Sequence, residues 1–312
     1  MNSRKLTFLF LVLLGIWGIA KNTFKHKTNS FKTDLIRIDT AQVDIIMIDH
    51  QGEAEMILQR NTTAQWIATK GTVMTTANKE AVTSFLNNIH LIKTEGIAAK
   101  KKEKWSQYAV DEANGTRIKI YAGSRLLEDF IVGRFNLNED TQKALSYVRI
   151  SGEEEVYAIE GFLSKHLRQA FNAYRNKNLL KITEDDITSL SLTRSDGTGK
   201  AISKLNNVWT KNDGVVVDTI DVSDVSHYLS GIKNIMGSKF VDDIDPTTYS
   251  MPKYRTLVLT GNNIPKPVTI TCYRDEAKTP PYIIQSSQNL ESYFSSQETE
   301  LFQKIFGALE ML

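Results

Sequence analysis

One cysteine, Cys272, in 312 residues excludes a disulfide within the chain, and with it the small stapled fold of many secreted domains. It fits either side of a bacterial inner membrane. A strong excess of charge is also missing. The formal net charge is +2, but the first 27 residues carry Arg4, Lys5, Lys21, Lys25 and Lys27 and no acid. Setting those five aside leaves 33 basic residues against 36 acidic ones, a body near −3. Such a body lacks the electrostatic footprint of a nucleic-acid binder, so no nucleic-acid partner is expected.

Catalytic signatures are missing too. The chain contains no G-x-S-x-G elbow and no H-E-x-x-H pair. Its histidines, His26, His50, His90, His166 and His227, never stand three or four residues apart, and none neighbours Cys272, so no local metal site is written in the sequence. Cys272 lies in the alternating string VTITCYR and reads as a small strand hydrophobe. The string SDGTGKA (195–201) lacks the first glycine of a phosphate loop and the hydroxyl residue after its lysine, and reads as a hairpin turn. VDDIDPTTY, with Asp242, Asp243 and Asp245, offers oxygen ligands for calcium but not the spacing or central glycine of a calcium loop; it reads as a capped turn. AAKKKEKW (98–105) reads as a solvated loop, with a patch for anionic lipid or an acidic partner as the alternative. No catalytic, cofactor-binding or metal-ligating residue is assigned, and no cofactor is expected.

The N-terminus does carry a signal. MNSRKLTFLFLVLLGIWGIAK has a basic start and an almost wholly apolar run from Leu6 to Ala20. Fifteen residues make a helix of about 22 Å, short for a hydrocarbon core of about 30 Å and suited to a signal-peptide core. Residues 1–27 therefore read as a signal anchor, with a cleaved signal as the alternative. No cysteine follows the run, which excludes a lipoprotein anchor. Basic residues flank it on both sides, so charge gives no orientation.

The body writes one phrase twice. SFLNNIHLI (84–92) and HYLSGIKNI (227–235) share their apolar spacing, and each follows a tryptophan. An offset of 143 pairs Trp66 with Trp209, Asn78 with Asp221, Phe85 with Tyr228, Leu86 with Leu229, Ile89 with Ile232 and Ile92 with Ile235. Asn78 and Asp221 are good helix N-caps. Val82, Phe85, Leu86 and Ile89 then fall at i, i+3, i+4 and i+7, one apolar helix face, which Val225, Tyr228, Leu229 and Ile232 repeat. Upstream, VDIIMID answers ITSLSLT; downstream, SYVRIS answers PYIIQS, and KHLRQAFNAY (165–174) answers ELFQKIFGAL (300–309) as closing helices. The drifting offset places small deletions in loops.

These matches predict an α+β fold of two similar tandem halves from an internal duplication, each an antiparallel sheet with packed helices. The expected boundaries are 28–178 and 179–312, joined by a short stiff junction over 172–186. Equivalent tryptophans in both halves read as packing anchors, with a carbohydrate or peptide platform as the alternative.

The string YVRISGEEEVYAIEGFLSKHLRQAFNAYRNKNLLKI, the unit W…VTSFLNNIHLI and the N-terminal apolar segment together resemble a bacterial family catalogued as domain of unknown function 4340. The resemblance covers most of the body and supplies no catalytic residues. It implies a membrane-anchored protein whose body lies in the periplasm, with some members beside gliding-type ABC transporter components. The expected partners are then the inner membrane, through residues 6–20, and a membrane-protein complex. The functional expectation is a binding or scaffold protein without catalysis. The alternatives are an envelope-polymer hydrolase with carboxylates assembled in a cleft between the halves, or a lipid carrier.

Overall fold

The computed structural model describes residues 33–138, 143–244, 252–279, 281–296 and 300–312. The apolar segment 6–20, His26, Asp245 and Pro246 lie outside the described residues. No helix among the described residues is long and apolar enough to cross a membrane.

The chain is built mainly of antiparallel strands. It begins with β1 (Asp34–Arg37), β2 (Ile45–His50), β3 (Met56–Arg60), β4 (Trp66–Lys70) and β5 (Val73–Thr76), followed by helix α1 (Lys79–Ile89). Next come β6 (Leu91–Lys93), β7 (Gly96–Ala99), β8 (Thr116–Ala122), the long β9 (Arg125–Asn138), β10 (Lys143–Ile150) and β11 (Val156–Glu160). Two short helices, α2 (Leu163–Leu167) and α3 (Phe171–Tyr174), lead into β12 (Asn178–Lys181). Then follow β13 (Ile187–Arg194), β14 (Gly199–Leu205), β15 (Val208–Asn212), β16 (Val217–Ile220) and helix α4 (Val222–Ile232). The remaining strands are β17 (Asn234–Met236), β18 (Lys239–Phe240), β19 (Lys253–Gly261), β20 (Val268–Arg274), β21 (Tyr282–Ser286) and β22 (Asn289–Ser295).

Two nine-stranded sheets result, with strand orders β5-β4-β3-β2-β8-β9-β10-β11-β7 and β16-β15-β14-β13-β19-β20-β21-β22-β18. Two ribbons accompany them, β1-β6 and β12-β17. Each large sheet steps outward through four hairpin-linked strands to one edge. A helix then carries the chain off the sheet, and four further strands start again from the middle. The second order is the first with each strand replaced by its counterpart along the chain.

By compactness the described chain divides into two units. One holds the residues up to Glu55 with Thr83–Gln169, and the other holds Met56–Val82 with Ala170–Leu312. In the first, Ile46, Ile48, Phe85, Ile118, Ile120 and Phe130 are buried, and one cluster gathers Val110, Ile131, Tyr147 and Val156. In the second, a core joins Leu190, Leu192, Trp209, Val225, Tyr228, Leu229, Ile232, Leu257, Ile270, Cys272 and Phe306.

The helix expectations from spacing hold at α1 and α4. The Asn78 side chain accepts the Ala81 N–H at 2.9 Å, and Asp221 accepts the Ser223 N–H at 2.8 Å. These caps satisfy amides that the first turn leaves without partners. Val82, Phe85 and Ile89 are buried, as are Val225, Tyr228, Leu229 and Ile232. The Tyr228 hydroxyl, deep in the core, donates to the Ile305 carbonyl at 2.8 Å.

Both tryptophans are buried, with relative exposures of 9% for Trp66 and 4% for Trp209, as packing anchors require. Each also faces a cation across a strand pair. Arg60, opposite Trp66, places its guanidinium 5.0 Å from the ring centre; Lys204, opposite Trp209, places its ammonium at 5.8 Å. The basic side chain covers one face of the indole and keeps its charge near water.

The closing helices differ from expectation, and the whole is richer in sheet than a typical α+β fold. Residues 165–174 do not form one helix. The chain breaks between α2 and α3, where Arg168 reaches the Thr116 hydroxyl (3.0 Å) and the carbonyls of Gly133 and Asn114 (3.2 Å each). Three contacts to a charged donor outweigh one turn of helix. Residues 300–311 wind continuously, but the middle turn, Gln303–Gly307, is a π-turn. The wider turn accompanies the burial of adjacent Ile305 and Phe306. The last carbonyls are met by lysines: Lys200 donates to Glu310 O at 2.9 Å and Lys211 to Leu312 O at 3.1 Å, the charge that a helix C-terminus favours. Arg194 and Arg255 pair with the Glu310 carboxylate.

Trp66→Ala and Trp209→Ala are each expected to lower stability by about 3–5 kcal/mol through the cavity left by a buried ring, read from urea unfolding midpoints at constant slope. The Arg194 hydrogen bond holds the Glu310 carboxyl below its ordinary 4.5. A depressed folded pKa contributes stability above the unfolded value and loses it as pH falls through the folded value. Melting temperature below pH about 4.5 is therefore expected to fall less steeply in Glu310→Gln than in the parent.

Candidate functional site

The residues singled out by chemistry in the sequence do not converge. The His50 ring nitrogen faces the Thr116 hydroxyl at 3.0 Å, and that of His90 faces the Ile38 carbonyl at 3.4 Å. His166 and His227 are exposed on their helices. Among the described residues no three metal-ligating side chains come together. SDGTGKA forms the β13–β14 hairpin, with Asp196 accepting the Thr198 N–H and hydroxyl. Asp242 and Asp243 bind Arg175 and Lys278.

The basic run is not a loose loop. Lys102–Tyr108 is a 3-10 turn whose Trp105 indole donates to the Glu154 carbonyl at 2.8 Å. Arg149, 3% exposed, lies 3.6 Å over that ring, donates to the Val110 carbonyl and pairs with Glu112. A second cation nearby, Arg117, grips Asp129 with two hydrogen bonds of 2.9 and 2.7 Å. Together Asp49, Asp111, Glu112, Gly115 and Arg117 line a polar recess of ≈ 240 Å³.

A hydrolase needs one carboxyl that holds its proton near neutral pH, so its pKa must be raised. Burial does push Asp129 upward, but the Arg117 hydrogen bonds and charge, with Ser151, outweigh it and set the carboxyl below its usual range. Asp34, Asp196, Asp213, Asp221, Asp243 and Glu310 also move down, each held ionised by a cation or by N–H and O–H donors. That is the direction of structural carboxylates, opposite to a general acid.

A recess of ≈ 740 Å³ lies in the second unit. Its walls are the end of β12, the β19–β20 connection NNIPKP (262–267) and the β21–β22 turn. Backbone economy fixes these walls. Gln288 accepts the Lys181 N–H at 2.7 Å and donates back to the Lys181 carbonyl at 3.0 Å. Asp186 accepts from the Asn263 side chain at 2.8 Å, and its carbonyl accepts the Asn262 N–H at 2.7 Å. Gly261 is needed there, because a Cβ would lie 1.8 Å from the Asp186 carbonyl oxygen. Ile182, Ile264, Pro265, Pro267 and Leu290 present apolar surface, and Lys181 and Lys266 add two ammonium groups. The lining includes no histidine or cysteine. Such chemistry suits an apolar ligand or segment carrying an anionic group; it offers no nucleophile paired with a base.

Sequence reading passed over this groove because its residues lie in three separate turns. The hint available was the polar, proline-spaced string NNIPKP between two strands.

Cys272 is wholly buried, and burial raises its thiol pKa to about 12, against a smaller lowering by Arg255 and Arg274. The thiolate is the reactive form. Native protein at pH 8 is therefore expected to resist maleimide and to take up one equivalent only after denaturation, as measured by mass.

A family model described as Domain of unknown function (DUF4340) matches residues 66–253. No curated protein and no solved structure matches the chain.

Proposed function

The chain belongs to the DUF4340 family, and from that premise we propose that it is a membrane-anchored extracytoplasmic binding or scaffold protein. It acts without catalysis, as an accessory to an ABC-type transporter or to envelope assembly. The observation that carries this reading is the groove of Lys181, Ile264, Lys266 and Leu290, apolar with two cations and walled by interlocked turns. Rigid turns carrying mixed apolar and cationic surface favour docking, since little ordering entropy is lost on binding. The apolar segment 6–20 supports anchoring, either retained as a single-pass anchor or cleaved to release a periplasmic body.

The body is further proposed to be an internal duplication with halves 28–178 and 179–312. The offset of 143 between the tryptophans, the two caps and the matching strand orders support it. This boundary is one of descent and differs from the division by compactness, which groups Met56–Val82 with Ala170–Leu312.

Affinity purification of the tagged full chain from native membranes tests the binding reading. Membrane transporter or envelope subunits are expected to co-purify, and to be lost with Ile264→Asp/Leu290→Asp while the melting curve is unchanged. Recovery of the same subunits with that variant would reject the groove as the site. A reporter active only in the periplasm, fused after Leu312, is expected to give signal; signal instead from a cytoplasm-only reporter would overturn the topology.

A further inference from the structure

The strand orders place β5 and β16 at the same position, each an edge of its nine-stranded sheet. An edge strand leaves backbone N–H and C=O groups open to another chain unless something covers them. The β5 edge is covered. Ala77, just past it, forms an antiparallel bridge with Arg175. The Asn176 N–H donates to Thr76 O at 3.0 Å, and the Asn78 N–H to Tyr174 O at 2.7 Å. Glu291 accepts from the Thr76 N–H and the Thr75 hydroxyl. The junction segment Tyr174–Asn176 thus lies along the edge.

At β16 the counterparts of Thr76, Ala77 and Asn78 are Thr219, Ile220 and Asp221, by the offset of 143. Among the described residues the only isolated β-bridge is that of Ala77 with Arg175, so no described segment bridges β16 in the same way. The Thr219 N–H donates to the neighbouring Asp218 carboxylate, at 2.8 Å. Val215, Val216 and Val217 are 90%, 58% and 68% exposed. Met74, in the place of Val217, is as exposed, so the two edges differ in backbone cover and in the two preceding valines. The string VVVDTI has high strand propensity and carries neither the lysine nor the proline that usually blunts an edge.

We propose that β16 is a docking edge for a second copy of this chain, which adds residues 28–32 (TNSFK) as an antiparallel strand. The choice of occupant follows from the covered edge. The β5 edge takes the residues just before β12, and the counterpart of β12 is β1, at an offset of 144 between Asn178 and Asp34. The residues just before β1 are 28–32, and Arg175 corresponds to Phe31. Charge agrees: Asp213, Asp218, Asp221 and Asp224 lie on or beside the edge, whereas Lys25, Lys27 and Lys32 lie in or beside the incoming segment. Main-chain hydrogen bonds supply the affinity in such strand addition. The contact is heterologous and joins copies head to tail. It rests on the matched strand orders and not on anchoring, because cleavage after Ala20 leaves 28–32 in place.

Full-length chains bearing Thr219→Cys and Lys32→Cys, each with a different tag, test the contact in detergent. Buried Cys272 gives little background. Under mild oxidation a mixture is expected to yield a disulfide-linked dimer containing both tags, because facing strand positions lie within the roughly 7 Å that a disulfide spans. Adding Val216→Lys to the Thr219→Cys chain is expected to abolish that product and to leave the melting curve unchanged. No mixed dimer from two folded variants would overturn the proposal. So would equal cross-linking by Leu205→Cys in place of Thr219→Cys. Cross-linking of Thr219→Cys in native membranes only to proteins of other sequence would overturn it as well, assigning the edge to a different partner.

Discussion

A guanidinium with 1% relative exposure must be paired, and much of the second unit is arranged around pairing Arg175. Its two terminal nitrogens each donate to Asp242 at 2.8 Å, one also reaches Asn172, and the plane lies 3.6 Å over Phe240. Leaving such a charge without its carboxylate is among the larger costs a fold can incur. The arrangement therefore fixes where Phe240 and Asp242 sit and how the chain passes from α3 into β12. The same residue carries the backbone bridge to Ala77. One buried cation thus ties the junction, an edge strand and the β18 segment into a single constraint.

Elsewhere arginine plays the same part on a smaller scale. Arg149 holds the turn Lys102–Tyr108 through Trp105, Val110 and Glu112, and Arg168 breaks a helix to satisfy three acceptors. Carboxylates answer two of these cations, Asp242 at Arg175 and Glu112 at Arg149. Several described carboxylates hold turns or helix ends, as Asp196, Asp221 and Glu310 do. The groove is walled by interlocked turns, and at β16 Val215, Val216 and Val217 are left outward.

The two sheets also show how one strand plan can give different surfaces. Each buries a tryptophan on the strand beside its edge, Trp66 on β4 and Trp209 on β15, where a large ring tolerates little change of volume. Connections vary freely because they lie in water. The β8–β9 turn is two residues long, whereas its counterpart between β19 and β20 has six, including Pro265 and Pro267, and builds a wall of the groove.

The sequence by itself determined the local elements: the caps at Asn78 and Asp221, the buried faces of α1 and α4, and the tryptophan strands. These arise from periodicities of 2 and 3.6 residues and from cap chemistry, which act over a few neighbours. Only the tertiary structure decided the rest. Arg175 and Arg149 look like ordinary surface cations in the sequence, and become buried only when Phe240 or Trp105 arrives from far along the chain. Residues 165–174 have a helical pattern, yet Arg168 has better partners on β8 and β9 than in a helix. The groove exists because three turns distant in sequence meet. The β5 edge is bridged because Arg175, far along the chain, comes back to Ala77. Contacts between distant segments leave no local period to read.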